Sequence, residues 1–114
     1  VGDLTIARMY MSGQSSTTHG YTSGGAVPGG YASDYRDRID KFSFTSGGSA
    51  TDVGNLLAAK FAGSAGQSST VSGYTSGGDP ATYQIEKFPF ASDGNSTDVG
   101  DLTANRNYIS GTQY

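Results

Sequence analysis

Apolar and polar side chains alternate along this chain in short bursts, separated by runs of glycine, serine and threonine. In RIDKFSF the residues Ile39, Lys41 and Ser43 alternate with Asp40, Phe42 and Phe44. In YQIEKFPF, Ile85 and Lys87 alternate with Glu86, Phe88 and Phe90. Successive side chains of an extended strand point to opposite faces, so phenylalanines two apart share one face. Pro89 would break a helix and is tolerated in a short or edge strand. The one stretch with helical character is NLLAAKFAG from Asn55, but its counterpart DLTIARMYM from Asp3 is β-branched and aromatic, and the correspondence decides for strand.

That correspondence is part of an internal repeat, which organises the chain. VGDLTIAR begins at Val1, VGNLLAAK at Val53 and VGDLTANR at Val99, so the spacings are 52 and 46 residues. Within each unit the order is VG[DN]L, GQSST, GYTSGG, I[DE]KF and a polar stretch ending in TDVG. Seven more residues between Gly25 and Ile39 than between Gly78 and Ile85, less one recovered before GQSST, account for the difference in period. The units are therefore 1–52, 53–98 and a partial third, 99–114. Strands are expected at 9–18, 19–23, 38–44 and 50–53, and again at 63–70, 72–76, 83–90 and 96–99. The glycine pair after each GYTS supplies the positive φ angles of a tight exit, and Tyr21 and Tyr74 are expected to pack between sheets.

Composition agrees with an all-β chain: 18 glycines, abundant serine, threonine and tyrosine, and only 34% apolar residues. A net charge of −3 gives no clustered cationic surface for nucleic acid. The absence of cysteine excludes disulfides and thiolate metal sites. No apolar run reaches the roughly 18 residues that would suggest a membrane-spanning helix, so no membrane insertion is expected.

The order of these residues resembles the Kelch repeat. Arg8, Gly24, Gly25 and Phe42 follow the family's order in the first unit, Lys60, Gly77, Gly78 and Phe88 do so in the second, and Arg106 begins a third. The family's tryptophan is missing, since the chain has none, and its third-strand tyrosine is replaced by Phe42 and Phe88. The near-verbatim repeats also resemble those of structural proteins of marine bacteriophages. The resemblance implies β-propeller blades of four antiparallel strands, about two and a third of them. Propellers close with about four to eight blades. The partners expected are therefore copies of the same chain or further repeats of a longer one.

No catalytic set is visible. The single histidine, His19, is replaced by Ser72 in the second unit, and no nucleophile has a base beside it. Asp93, Asp98 and Asp101 invite a calcium reading, but Gly47 and Asn55 stand where Asp93 and Asp101 would, and such residues commonly close turns. No cofactor or metal is expected. The one departure from the repeat is the loop AVPGGYASDYRDR, residues 26–38. It carries Tyr31, Tyr35, Arg36 and Arg38, residue types enriched at recognition surfaces, with Arg8 and Asp3 expected on the same rim. The reading is a non-enzymatic structural or adhesive protein of a virion or cell-surface appendage that binds glycan or protein through rim loops. An intracellular Kelch-type interaction module and a glycan hydrolase or lyase on a propeller scaffold are the alternatives.

Overall fold

The computed structural model describes residues 1–29, 31–62, 64–80 and 82–111. They form eight strands: β1 Ser12–Ser15, β2 His19–Ser23, β3 Arg36–Ser43, β4 Thr51–Lys60, β5 Ala65–Ser68, β6 Ser72–Ser76, β7 Thr82–Pro89 and β8 Thr97–Arg106. A 3-10 turn, Ala32–Asp34, lies between β2 and β3. The chain is all-β, built as two four-stranded antiparallel sheets in simple sequential order, β1 to β4 and β5 to β8.

Both second strands lie where the alternation places them. The first strands are shorter than expected and the fourth strands much longer. Two register shifts explain the fourth strands: between Arg36 and Arg38, and between Ile39 and Asp40, extra residues of β4 are accommodated opposite β3. The same shifts recur between β7 and β8. Bulged strands do not alternate evenly, so residues 54–60 read as a connection although they continue the ladder to an Arg36 and Lys60 pair. The repeat boundaries at 52/53 and 98/99 accordingly fall inside β4 and β8. Lys60 and Arg106 end fourth strands and do not enter first strands.

The two sheets stack face on face. β1 lies against β5 and β6, while β4 and β8 meet only briefly. Gly13 and Gly66 approach so closely that a Cβ on Gly66 would overlap the Gly13 carbonyl, and Gly111 stands on Gly66 in the same way. Between the sheets lies a thin apolar layer of Tyr21, Ile39, Leu56 and Phe88, with Val53 and Phe90 against it. Tyr21 meets Phe90 in a stacked arrangement at 4.7 Å and Phe88 at 5.6 Å. Full burial of such side chains stabilises by about 1.5–3 kcal/mol each.

The repeated GYTSGG phrase follows from this packing. Tyr21 and Ser23 point to the next sheet, whereas Gly20 and Gly73 have no side chain because the rings of Phe42 and Phe88 lie directly over them. The paired glycines that follow have φ angles of 68° and 90° at Gly24 and Gly25, and 65° and 121° at Gly77 and Gly78. These angles suit glycine and strain other residues.

Candidate functional site

The inner faces carry a repeated polar device. Residues 1–8 belong to no strand but lie over the first sheet, where the Thr5 N–H donates to Asp40 Oδ2 at 3.2 Å and the Arg8 guanidinium meets the same oxygen at 3.0 Å. Both side chains of that pair are fully buried. Arg8 also donates to the Gly24 and Arg38 carbonyls, at 2.6 and 3.1 Å. Burial pulls the Arg8 pKa below its usual value, opposed by the Asp40 charge.

The second sheet repeats the device. The Leu57 N–H donates to Glu86 Oε2 at 2.8 Å, and Lys60 Nζ lies 3.3 Å from Glu86 Oε1, with side-chain exposures of 4% and 1%. In each case the cation ending one VG[DN]L phrase enters the next sheet and neutralises the acid of its I[DE]KF strand. The geometry places residues 1–8 where the fourth strand of a preceding sheet would lie.

Gln14 completes the seam. Its amide nitrogen donates to Ser23 Oγ in its own sheet and to the Tyr74 carbonyl and Thr75 Oγ1 of the second, at 2.9, 3.1 and 2.9 Å. Gln67, the counterpart of Gln14, bonds to Ser76 of its own sheet alone among the described residues.

The loop between β2 and β3 lies beside the connection from β4 to β5. Tyr35 and Tyr10 both pack on Phe61, with ring centroids 5.1 and 5.4 Å apart. Arg36 Nη1 turns back to donate to the Ser33 and Tyr35 carbonyls, both at 2.9 Å. Arg38 meets Asp52 at 3.3 Å, with both side chains partly exposed, and Thr5 at 3.2 Å. Tyr31 is 75% exposed. Of the six residues expected on this rim, Tyr31 therefore faces solvent, Tyr35 packs between units, Arg36 and Arg38 are partly exposed, Arg8 is inside, and Asp3 is elsewhere. Asp3 lies at the opposite rim, where its backbone and that of Ala50 are bonded and its N–H reaches Ser49. Residues 1–8 run the length of the sheet, and this separates Asp3 from Arg8.

The three carboxylates read for calcium are not brought together. Asp93 bonds Lys41 across the seam at 2.6 Å, Asp98 accepts from the Gly100 N–H at 3.1 Å, and Asp101 lies on the outer face of the second sheet. Asp52 accepts from Gly54 as Asp98 does from Gly100, which makes that aspartate a repeated bulge cap. Among the described residues no three of His, Asp and Glu cluster as metal ligands would. His19 bonds the neighbouring Thr18 hydroxyl at 2.8 Å.

The sequence did not single out the buried ion pairs as pairs. The signal was present, because cation and acid both recur, in VG[DN]L and in I[DE]KF. No protein-family model matches the chain, and a comparison with curated proteins finds no match.

Proposed function

We propose that this chain is a non-enzymatic structural and adhesive repeat protein of a virion or cell-surface appendage, a portion of a Kelch-like propeller that binds glycan or protein through the loop from β2 to β3. The observation that carries the reading is that loop. It is the main place where the two units differ in length, and it presents Tyr31 to solvent while Tyr35 anchors its base on Phe61. An exposed aromatic on a loop anchored at its base gives contact area at small entropic cost. The propeller reading is supported by the two sequential four-stranded sheets and by their face-on-face stacking, with β1 lying against β5.

The test is a loop graft. Residues 26–38 are replaced by the six-residue counterpart 79–84, which closes the equivalent turn of the second unit, and binding to an array of immobilised oligosaccharides and to host surface protein is measured. Loss of binding in the graft and in Tyr31→Ala, with an unchanged circular dichroism spectrum, is expected. Binding equal to that of the parent chain would overturn the proposal.

A further inference from the structure

The seam between the two sheets leaves half of itself repeated at each open face. On the outer face of the second sheet, Tyr74 is half-buried where Tyr21 is covered, Ile85 is half-buried where Ile39 is fully buried, and Arg106 is exposed where Lys60 is paired. On the outer face of the first sheet, Phe42 and Phe44 pack on each other at 6.0 Å, in the same edge arrangement as Phe88 and Phe90, but no tyrosine among the described residues stacks on them. Phe44 is 53% exposed. Beside these rings runs a groove of about 660 Å³ whose walls include Leu4, Phe42 and Phe44.

We propose that the Tyr74 and Arg106 face of one copy of this chain docks head to tail on the Phe42, Phe44 and Asp40 face of a second copy, and that β8 of the first displaces residues 1–8 of the second from their seat over Asp40. The covered seam is the template. Tyr74 takes the place on Phe42 and Phe44 that Tyr21 has on Phe88 and Phe90, and Gln67 bridges to Thr22 as Gln14 does to Thr75. Arg106 takes the place at Asp40 that Lys60 has at Glu86.

Displacement is required because the two segments are the same piece of sequence. VGDLT occurs at residues 1–5 and 99–103, and each phrase ends in an arginine, Arg8 or Arg106. The incoming segment has an advantage in order: β8 is laddered to β7 along its length, whereas residues 1–8 belong to no strand. Exchanging Arg106 for Arg8 leaves Asp40 paired, while the tyrosine and glutamine contacts are gained. The chain already begins the continuation. Tyr10 and Tyr108 share positive φ angles of 61° and 51°, and Gly111 stands on Gly66 as Gly66 stands on Gly13, so residues 109–111 of the first copy hold the place that Gly13 of the second takes and are displaced together with residues 1–8. The contact joins unlike faces and is therefore heterologous, which yields rings or open stacks. It goes beyond the adhesive reading and does not depend on any surface ligand.

Sedimentation velocity of the full chain over a wide concentration range tests this. The parent chain is expected to associate reversibly as concentration rises. Arg106→Ala removes one partner of a pair buried on docking and is expected to lower the association constant about a hundredfold or more. Tyr74→Ala is expected to lower it about tenfold, through lost stacking and burial. Arg8→Ala removes the competitor for Asp40 and is expected to raise association. A chain that stays monomeric throughout would overturn the proposal, as would Arg106→Ala or Tyr74→Ala chains that associate as tightly as the parent. Should Arg8→Ala fail to fold, the other two variants decide, since Arg106 is exposed and its loss leaves the monomer intact.

Discussion

Replacing Lys60 by methionine is the sharpest probe of the contact between sheets. Lys60 ends β4 and inserts into the second sheet, where Glu86 is 1% exposed and accepts from the Leu57 N–H and, at 2.7 Å, from the Ser96 hydroxyl. Methionine keeps most of the length and apolar stem but removes the charge, leaving Glu86 as an uncompensated buried carboxylate. Breaking a buried pair in this way costs about 3–5 kcal/mol, a large share of the roughly 5–15 kcal/mol that holds a domain of this kind folded. At about 3–6 °C per kcal/mol for this length, the melting temperature should fall by roughly 10–30 °C. Urea denaturation followed by circular dichroism gives the free energy, and Glu86→Gln with the double variant completes the cycle. The double variant should recover most of the loss, because both charges are then gone. A cost for Lys60→Met below about 1 kcal/mol, the range of an exposed pair, would refute the reasoning, since the two sheets would then not exclude water from this pair.

Three further outcomes follow from the same packing. Gly73→Ala places a methyl group against the buried Phe88 ring and should cost about 1–3 kcal/mol, whereas Gly20→Ala should cost less because Phe42 is only partly covered and its ring can shift; urea titrations of both variants check this. Ile39→Ala, at a position with 0% exposure, should cost about 2–5 kcal/mol, and Ile85→Ala clearly less at dilutions where the chain is not associated. Burial raises the Tyr21 pKa, so its contribution to stability is complete below the ordinary tyrosine value near pH 10 and is lost as pH rises through the raised folded value. Thermal melts from pH 9 upward should therefore fall less steeply for Tyr21→Phe than for the parent chain.

Much of the fold was legible because the strands are period-two patterns written twice. Residues 19–23 and 72–76 could be placed to the residue, and the faces of Ile39 and Phe42 assigned correctly. What was not legible was the length of the fourth strands. The two bulges break the alternation between residues 52 and 60, and a strand that loses its phase against its partner reads as a loop. The same error hid the role of Arg8. Once residues 1–8 are placed over the sheet and not beside the β2 to β3 loop, the arginine is inside, bonded to an aspartate 32 positions away. Pairing of that kind depends on how sheets stack, which no local pattern encodes. Tyr31 and Tyr35 were equivalent in the sequence and are not in space, because Phe61 from the next connection covers one of them.

Consecutive units lie face on face, and an engineered disulfide tests this most directly. Ser12 begins β1 of the first sheet and Ser64 immediately precedes β5 of the second, their hydroxyl oxygens are 2.7 Å apart, and the chain has no cysteine of its own. Oxidation of the Ser12→Cys, Ser64→Cys variant at high dilution, followed by non-reducing electrophoresis and intact mass, should give a monomer with both thiols joined. Free thiols, or bridges formed only between chains, would contradict the stacking on which the seam, the buried ion pairs and the head-to-tail contact all depend.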